Sequence, residues 1–185
     1  LYDKFRNRLM LPVIDTRGDV VAFGSRVLDG SEPKYMNSSE TPVYSKRRVL
    51  YGLNLAKKTK RPNIILCEGN LDIVTLHQAG FDNAVASMGT ALTVEQIRLL
   101  SRFTRELVLC YDNDNAGKVA TERALQLLDN SEFTVKVLQL PRRLVDGEYI
   151  KQDADDFIKF QGPAAFERLL TGSENGVEFR LDQIA

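Results

Sequence analysis

Acidic residues stand at three places where apolar segments end, and their types and spacing could support chemistry. Glu68 follows one apolar run, Asp112 and Asp114 follow another, and Asp153 and Asp155 follow a polar segment after a third. In extended backbone, residues i and i+2 point to the same side, so each Asp-x-Asp pair can share one cation or hold two neighbouring ones. Carboxylate oxygens suit Mg²⁺ or Mn²⁺, and crowding them is costly unless a cation offsets the repulsion. The three motifs together predict a divalent-metal site.

Each motif also has an interpretation without a metal. An Asp-x-Asp after a strand is often only a helix N-cap, and Asp72 can be a favourable charge in the first turn of a helix. The stretch from Asp112 to Gly117 resembles an EF-hand loop, but position twelve is Arg123 where such a loop has Glu. The same aspartates could be the nucleophile pair of a haloacid-dehalogenase-type phosphatase, although Ala116 stands where that family has Thr or Val. The coincidence of three motifs favours the metal site.

Composition narrows the class of protein further. The chain is 43% hydrophobic and 27% charged, as in ordinary globular proteins. It has no apolar run long enough to cross a bilayer and no leader sequence, so we expect a cytoplasmic protein with no membrane contact. Cys67 and Cys110 lie in apolar runs without a C-x-x-C partner, which predicts buried free thiols and no zinc. Because the first residue is Leu1, we expect a piece of a longer protein.

The zero net charge conceals two halves of opposite sign. Residues 1–62 hold 13 basic and 6 acidic side chains, for a net charge of +7, and residues 63–185 carry −7. A basic half could contact phosphates while an acidic half holds cations. We therefore predict a subdomain boundary near residue 62.

The elements that must position the acidic residues follow from the apolar pattern. After residue 62, strands and helices alternate, which predicts an α/β fold with a mainly parallel, four-stranded sheet flanked by helices over residues 63–170. The expected strands are 63–67, 83–87, 106–111 and 133–140. The expected helices are 70–79, one that begins after a Thr93–Gln96 capping box, 116–129, 154–160 and 163–170, with a polar loop at 142–152. Active sites of such sheets lie beyond the carboxyl ends of the strands, where the acidic motifs fall.

The flanking regions have different patterns. Residues 1–62 predict a small α+β basic subdomain with strands at 9–14 and 20–27, a turn at 15–18, an irregular loop at 29–42 and a helix at 46–60. Residues 171–185 are interpreted as the truncated start of a C-terminal helical region.

The acidic motifs resemble a known family. Glu68-Gly69-x-x-Asp72, Asp112-x-Asp114-x-Ala-Gly117 and Asp153-x-Asp155 resemble the Toprim domain of bacterial primases, topoisomerases and some nucleases. The resemblance to bacterial DnaG-type primases is closer and covers nearly the whole chain. It includes the segments 2–13, 23–28, 33–38, 50–53 and 76–90, several of which precede residue 62, where a topoisomerase or nuclease would differ.

The resemblance implies an activity and a set of site residues. It implies a DNA-directed RNA polymerase, a nucleotidyltransferase that makes short RNA primers on single-stranded DNA from ribonucleoside triphosphates, using two or more Mg²⁺ or Mn²⁺ ions. Glu68, Asp112 and Asp114 would be catalytic, and with Asp153 and Asp155 they would hold the metals. Supporting positions would be Asp72, Gly69 and Gly117. Residues lining the groove for nucleotide and template would be Arg26, Lys34, Tyr35, Asn37 and Lys46.

The chain departs from the family pattern in places. Asn70, Asn113 and Ala154 replace the usual Tyr, Gly and Pro, and the loop 142–151 is longer than is typical. Members also carry a zinc-binding domain, a helical bundle and a helicase-binding domain, which these residues do not include. We therefore predict that the 185 residues alone bind metal and nucleotides weakly and prime poorly, and that contact with the replicative helicase uses a domain absent here.

Overall fold

A small antiparallel sheet forms the amino-terminal part of the protein. The computed structural model describes residues 2–182, and in it β1 (Arg8–Ile14) pairs with β2 (Val20–Val27), which pairs with β3 (Tyr35–Asn37). The predicted turn between β1 and β2 is confirmed. The Asp15 carboxylate accepts backbone N–H groups of Arg17, Gly18 and Asp19 at 2.8–3.1 Å, and Gly18 takes φ +104°.

Two predictions for this part of the chain were wrong. β3 lies inside the expected loop 29–42, because three residues are enough to pair with the edge of β2. The expected helix 46–60 is reduced to α1 (Leu53–Ala56), and β4 (Leu50–Tyr51) precedes it. Gly52 separates these two elements at φ +82°, a conformation that ends a strand and that side chains disfavour.

The second sheet has six strands in the order β11-β8-β7-β5-β6-β4. The four predicted strands are confirmed as its parallel centre: β5 (Asn63–Cys67), β6 (Ala84–Ser87), β7 (Glu106–Leu109) and β8 (Thr134–Val137). The short strands β4 and β11 (Glu174–Asn175) extend it antiparallel at the edges, so the sheet is mixed and wider than predicted. Since β4 precedes residue 62, this sheet draws on both sides of the predicted boundary, which stays a prediction.

Helices cover both faces of the large sheet. The remaining helices are α2 (Asn70–Gln78), α3 (Val94–Leu100), α4 (Asn115–Leu128), α5 (Ala154–Gln161), α6 (Pro163–Thr171) and α7 (Gly176–Asp182). Alternate strand residues pack into two cores. Leu66 and Leu109 lie in the core that includes α4, whereas Ile65 and Val108 lie in the core that includes α2, α5 and α6. Burial on both faces explains why these strands are continuously apolar.

The cap of α3 and the two cysteines confirm predictions, whereas the segment 142–152 differs from its prediction. Thr93 and Gln96 form the capping box at α3, and both cysteines are buried free thiols. The segment 142–152 was predicted to be a loop but contains an antiparallel hairpin of β9 (Arg143–Val145) and β10 (Glu148–Ile150).

The carboxyl-terminal region contains a short strand and a helix. Within 171–185, β11 and α7 are observed, and residues 183–185 lie outside the described residues. No helix between residues 2 and 182 has the length and apolar character needed to span a membrane.

Candidate metal centre and nucleic-acid interface

Three carboxylates form a first acidic group at the carboxyl ends of β5 and β7. Glu68 follows β5, and its Oε1 accepts the backbone N–H of Asp112 at 3.2 Å. Asp112 and Asp114 follow β7, and the Lys151 ammonium lies 3.1 and 2.9 Å from their Oδ2 atoms. Burial raises the pKa of Glu68, and the charges of Asp112 and Asp114 raise it further. Negative charge is therefore concentrated at this edge of the sheet.

The local backbone explains the position of Asp112 and Asp114. Asp114 caps α4, with its Oδ1 accepting the N–H of Gly117 at 2.8 Å. Gly117 lies so close to the preceding strand that an added Cβ would be 1.9 Å from the Asp112 carbonyl oxygen. Only glycine allows the first turn of α4 to approach the acidic turn in this way, and the supporting role of Gly117 stays a prediction.

A second acidic group stands at the start of α5. One carboxylate oxygen from each of Asp153, Asp155 and Asp156 lies within 4.8 Å of the others. Asp153 caps the helix, because its Oδ1 accepts the N–H of Asp156 at 2.8 Å. Asp155 accepts hydrogen bonds from Thr75 and from the Lys159 ammonium. Burial, followed by the charges of Asp153 and Asp155, raises the pKa of Asp156.

Asp72 connects the two groups. Its side chain is buried, and its carboxylate accepts the N–H groups of Gly69 and Asp155, each at 3.1 Å. Burial raises the pKa of Asp72 to about 7, and the charges of Asp153 and Asp112 both add to the rise. A Cβ on Gly69 would lie 2.7 Å from Asp72 Oδ2, so glycine is also needed at this contact. Asp72 therefore lies within electrostatic reach of both acidic groups.

Basic and aromatic residues cluster on the small sheet, where Tyr35 lies within electrostatic reach of the second acidic group. Arg26 on β2 is the cross-strand partner of Tyr35 on β3, and its guanidinium carbon is 5.7 Å from the Tyr35 ring centroid. The Lys34 ammonium is 5.6 Å from the same centroid. Burial raises the pKa of Tyr35, Arg26 opposes the rise, and the negative charges of Asp72, Asp153 and Asp155 add to it. Tyr35 nevertheless remains 49% exposed, so part of its side chain is accessible to a ligand.

The other two predicted basic-subdomain residues are placed differently. The Asn37 amide donates to the Met88 carbonyl at 3.3 Å, which links β3 to the segment after β6. Lys46 lies in the segment before β4. Its backbone N–H donates a hydrogen bond to the Glu40 carboxylate, and its carbonyl accepts one from the Gln96 amide. The structure thus brings Arg26, Lys34 and Tyr35 together and gives Asn37 a positioning contact.

Two residues of this region were not predicted from the sequence to belong to the site. Asp156 was overlooked although it follows Asp153 by three residues, a spacing that places both on one side of a first helical turn. Lys151 was overlooked because its position depends on the unpredicted hairpin.

A cavity of about 320 Å³ also opens beside Glu68, between α4 and the segment after β6.

The donor set fits hard divalent cations. Both groups consist of carboxylates, the ligands that Mg²⁺ and Mn²⁺ prefer. Oxygens of Asp153, Asp155 and Asp156 lie close enough to share one ion, and both cysteines are buried inside the cores. Burial, and to a smaller extent the neighbouring carboxylates, raises the pKa of Glu68, Asp72 and Asp156, so their charged forms are disfavoured without a partner. A bound cation would offset that charge.

Comparisons with known proteins agree with this arrangement. Residues 65–158 match the family described as Toprim-like, and residues 1–57 match the family described as the N-terminal domain of the DNA primase catalytic core. A DNA primase from Clostridium acetobutylicum is 43% identical over 184 residues, which are 99% of this chain and 30% of the relative. The chain therefore spans about a third of the length of that curated relative.

Solved structures match over nearly the whole chain. A DNA primase domain from Pseudomonas aeruginosa is 39% identical with a TM-score of 0.86, over 98% of this chain and 56% of that one. A DnaG primase catalytic domain bound to single-stranded DNA is 37% identical with a TM-score of 0.86, over 99% of this chain and 57% of that one.

The fold and the site together define a class of protein, a Toprim-like domain with an acidic edge joined to a small basic sheet. The match extends through the basic sheet as well as the Toprim-like part. The chain belongs to the bacterial DnaG-type DNA primases.

Proposed function

We propose that this chain is the catalytic part of a DNA-directed RNA polymerase that synthesises short RNA primers on single-stranded DNA. The observation that carries the proposal is the cluster of Arg26, Lys34 and Tyr35 on a small sheet that contacts the start of α2, next to the strand-end carboxylates. A Cβ on Gly24 of β2 would lie 2.6 Å from the Asn70 side chain. A polymerase must bring a nucleic-acid backbone to a metal site, and this contact places basic residues beside one. Bacterial primase relatives support the proposal, and they also support action in the bacterial cytoplasm as part of replication.

The proposed reaction is nucleotidyl transfer between ribonucleotides. A 3′-hydroxyl oxygen bonds to the α-phosphorus of the next triphosphate, the α–β phosphoanhydride bond breaks, and pyrophosphate leaves. When bound, two Mg²⁺ or Mn²⁺ ions would supply neutralisation of phosphate charge and a lower pKa for the attacking hydroxyl. Glu68, Asp112 and Asp114 would hold them, with Asp153, Asp155 and Asp156 as further ligands or supports.

The residues of the chain have further proposed roles. Glu68 would also accept the hydroxyl proton, and its contact with the Asp112 N–H beside an open cavity supports this role. Asp72 holds the turn after β5 to the start of α5 through its bonds to Gly69 and Asp155. Arg26 and Lys34 would neutralise template or triphosphate charge, and Tyr35 would stack on a base or sugar.

Template-dependent incorporation of labelled ribonucleotides tests this function. The native full-length protein that includes these residues is incubated with single-stranded DNA, ribonucleoside triphosphates and Mg²⁺, and the products are resolved by length. We expect short RNA products that require both template and metal. Relaxation of plasmid DNA or hydrolysis of a phosphomonoester, without RNA synthesis, would instead favour a topoisomerase, a nuclease or a phosphatase. A contact with the replicative helicase is proposed through a domain outside these residues.

Removal of a basic side chain should weaken template binding. We expect Arg26→Ala and Lys34→Ala each to raise the Kd for a single-stranded oligonucleotide about tenfold at low salt, because each loses one phosphate contact. The slope of log K against log salt should become shallower by about 0.7 per contact. Fluorescence anisotropy at several salt concentrations measures both quantities. Lys60→Ala is the control, since Lys60 precedes the amino end of β5, and equal effects of all three variants would contradict the assignment.

Removal of a carboxylate should weaken metal binding. We expect Asp112→Asn to raise the Kd for Mn²⁺ about 100-fold, because an amide oxygen lacks the negative charge that binds a hard cation. Electron paramagnetic resonance of free Mn²⁺ during titration of this chain measures the affinity. Asp19→Asn serves as the matched control, because Asp19 is an exposed carboxylate in the β1–β2 turn. An unchanged Mn²⁺ affinity in Asp112→Asn would place the metal elsewhere.

A further inference from the structure

The Lys151 ammonium lies between the two carboxylates that we assign to the first metal position. Its Nζ is 3.1 Å from Asp112 Oδ2 and 2.9 Å from Asp114 Oδ2, and it makes an ion pair with each. A single cation therefore contacts one oxygen from each member of the Asp-x-Asp pair. A divalent ion held by the same pair would compete with the ammonium for these carboxylates.

The hairpin that precedes Lys151 is fixed at its base. The Asn113 amide, from the acidic turn itself, donates to the Leu140 carbonyl at 3.1 Å, and the Gln152 amide donates to the Pro141 carbonyl at 2.7 Å. The Arg143 guanidinium stacks over the Phe160 ring of α5, with its carbon 3.6 Å from the ring centroid. These contacts hold both ends of the segment beside the acidic turn. The anchored segment therefore positions Lys151 next to Asp112 and Asp114.

The lysine and the two carboxylates differ in exposure. The Lys151 side chain is 56% exposed, whereas those of Asp112 and Asp114 are 27% and 35% exposed. Asp114 is further fixed by its bond to the Gly117 N–H. The lysine can therefore leave toward solvent while the carboxylates keep their positions.

We propose that Lys151 competes with the divalent cation for Asp112 and Asp114 and thereby sets the metal affinity of this chain. The inference rests on the proposed metal site and adds a residue from the long segment between β8 and α5. In the absence of metal, Lys151 offsets the repulsion between the two carboxylates. Metal binding must then displace the ammonium, and this displacement costs part of the binding free energy.

Titration of this chain with Mn²⁺, followed by electron paramagnetic resonance, tests the competition without an activity assay. We expect Lys151→Met to lower the Kd about tenfold, because the loss of one close ion-paired cation removes a competitor. Lys151→Arg, which keeps the charge, should retain the wild-type Kd within about threefold. Lys118→Met is the matched control, because Lys118 is exposed one turn after Asp114, and it should change the Kd less than twofold.

Thermal unfolding gives a second readout that also detects misfolding. Without metal, Lys151→Met should unfold at a lower temperature than the wild type, and saturating Mn²⁺ should raise its Tm by more than it raises that of the wild type. Equal or weaker Mn²⁺ affinity in a folded Lys151→Met would overturn the role of Lys151 alone. Failure of the wild type and all variants to bind Mn²⁺ would overturn the metal site as well.

Discussion

Replacement of Glu68 by Gln should reduce primer synthesis about 10³-fold while the protein remains folded. Gln has nearly the same shape as Glu, and its Oε1 can still accept the Asp112 N–H that Glu68 accepts at 3.2 Å. The variant therefore keeps the local hydrogen bond but loses the negative charge needed to hold a cation and to accept a proton. Since burial and neighbouring charges raise the pKa of Glu68, removal of its charge should not lower the thermal stability of the metal-free protein.

Three measurements separate this outcome from a general loss of structure. Primer synthesis by the native full-length protein that includes these residues gives the rate, circular dichroism gives the unfolding temperature, and anisotropy gives template affinity. Glu132→Gln is the matched control, because Glu132 pairs with Arg105 near the amino ends of β7 and β8, away from the acidic groups. Retention of more than a tenth of the wild-type rate by Glu68→Gln would exclude Glu68 from the chemistry.

Replacement of Gly117 by Ala should cost stability and activity together. An added Cβ would lie 1.9 Å from the Asp112 carbonyl oxygen, a distance that requires the backbone to move. Ala is favoured over Gly within a helix by about 1 kcal/mol. Overpacking against fixed backbone is expected to cost about 3 kcal/mol or more. The clash dominates, so the free energy of unfolding should fall by about 2 kcal/mol or more, and Asp112 should be displaced.

Urea unfolding and Mn²⁺ titration of the same preparation test this expectation. Gly172→Ala is a suitable control, because a Cβ there would meet its nearest atom, the Arg168 carbonyl oxygen, at 3.5 Å. We expect that control to change stability by less than about 1 kcal/mol. A Gly117→Ala variant as stable as the wild type, with unchanged Mn²⁺ affinity, would show that the contact between α4 and the acidic turn has no role in positioning Asp112.

The centre of the large sheet could be predicted because its physical signal is strong. Strands buried on both faces must be apolar at every position, so β5, β6 and β7 stand out in the sequence. The carboxyl ends of parallel strands share one edge, and this rule predicts that Glu68 and Asp112 lie together. Chain order and burial were sufficient for this part of the site.

The helix predicted over 46–60 failed for an identifiable reason. Leu50 and Leu53 are both buried, as the helical spacing required, but Leu50 belongs to β4 and Leu53 to α1. Gly52 was the available signal, because its φ of +82° ends the strand, and a Cβ there would lie 2.7 Å from the Ile73 side chain. Apolar spacing alone does not distinguish a helix from a strand, a turn and a short helix.

The hairpin of β9 and β10 could not be predicted from burial. The β10 residues are all exposed, so alternation of apolar and polar side chains does not mark it. Its pairing instead depends on a turn in which Asp146 and Gly147 take φ +51° and +87°. Because Lys151 follows this hairpin, its contact with Asp112 and Asp114 could not be predicted either. The proposed roles of individual site residues remain predictions for the experiments above.

The location of bound metal tests the central proposal most directly. A crystal of this chain soaked in Mn²⁺ and a ribonucleoside triphosphate should give anomalous peaks in contact with Glu68 and Asp112, with the triphosphate on the side of Arg26 and Lys34. Metal bound away from both carboxylates, or a triphosphate bound without metal elsewhere on the surface, would contradict the proposal that the acidic edge of the sheet is where nucleotides react.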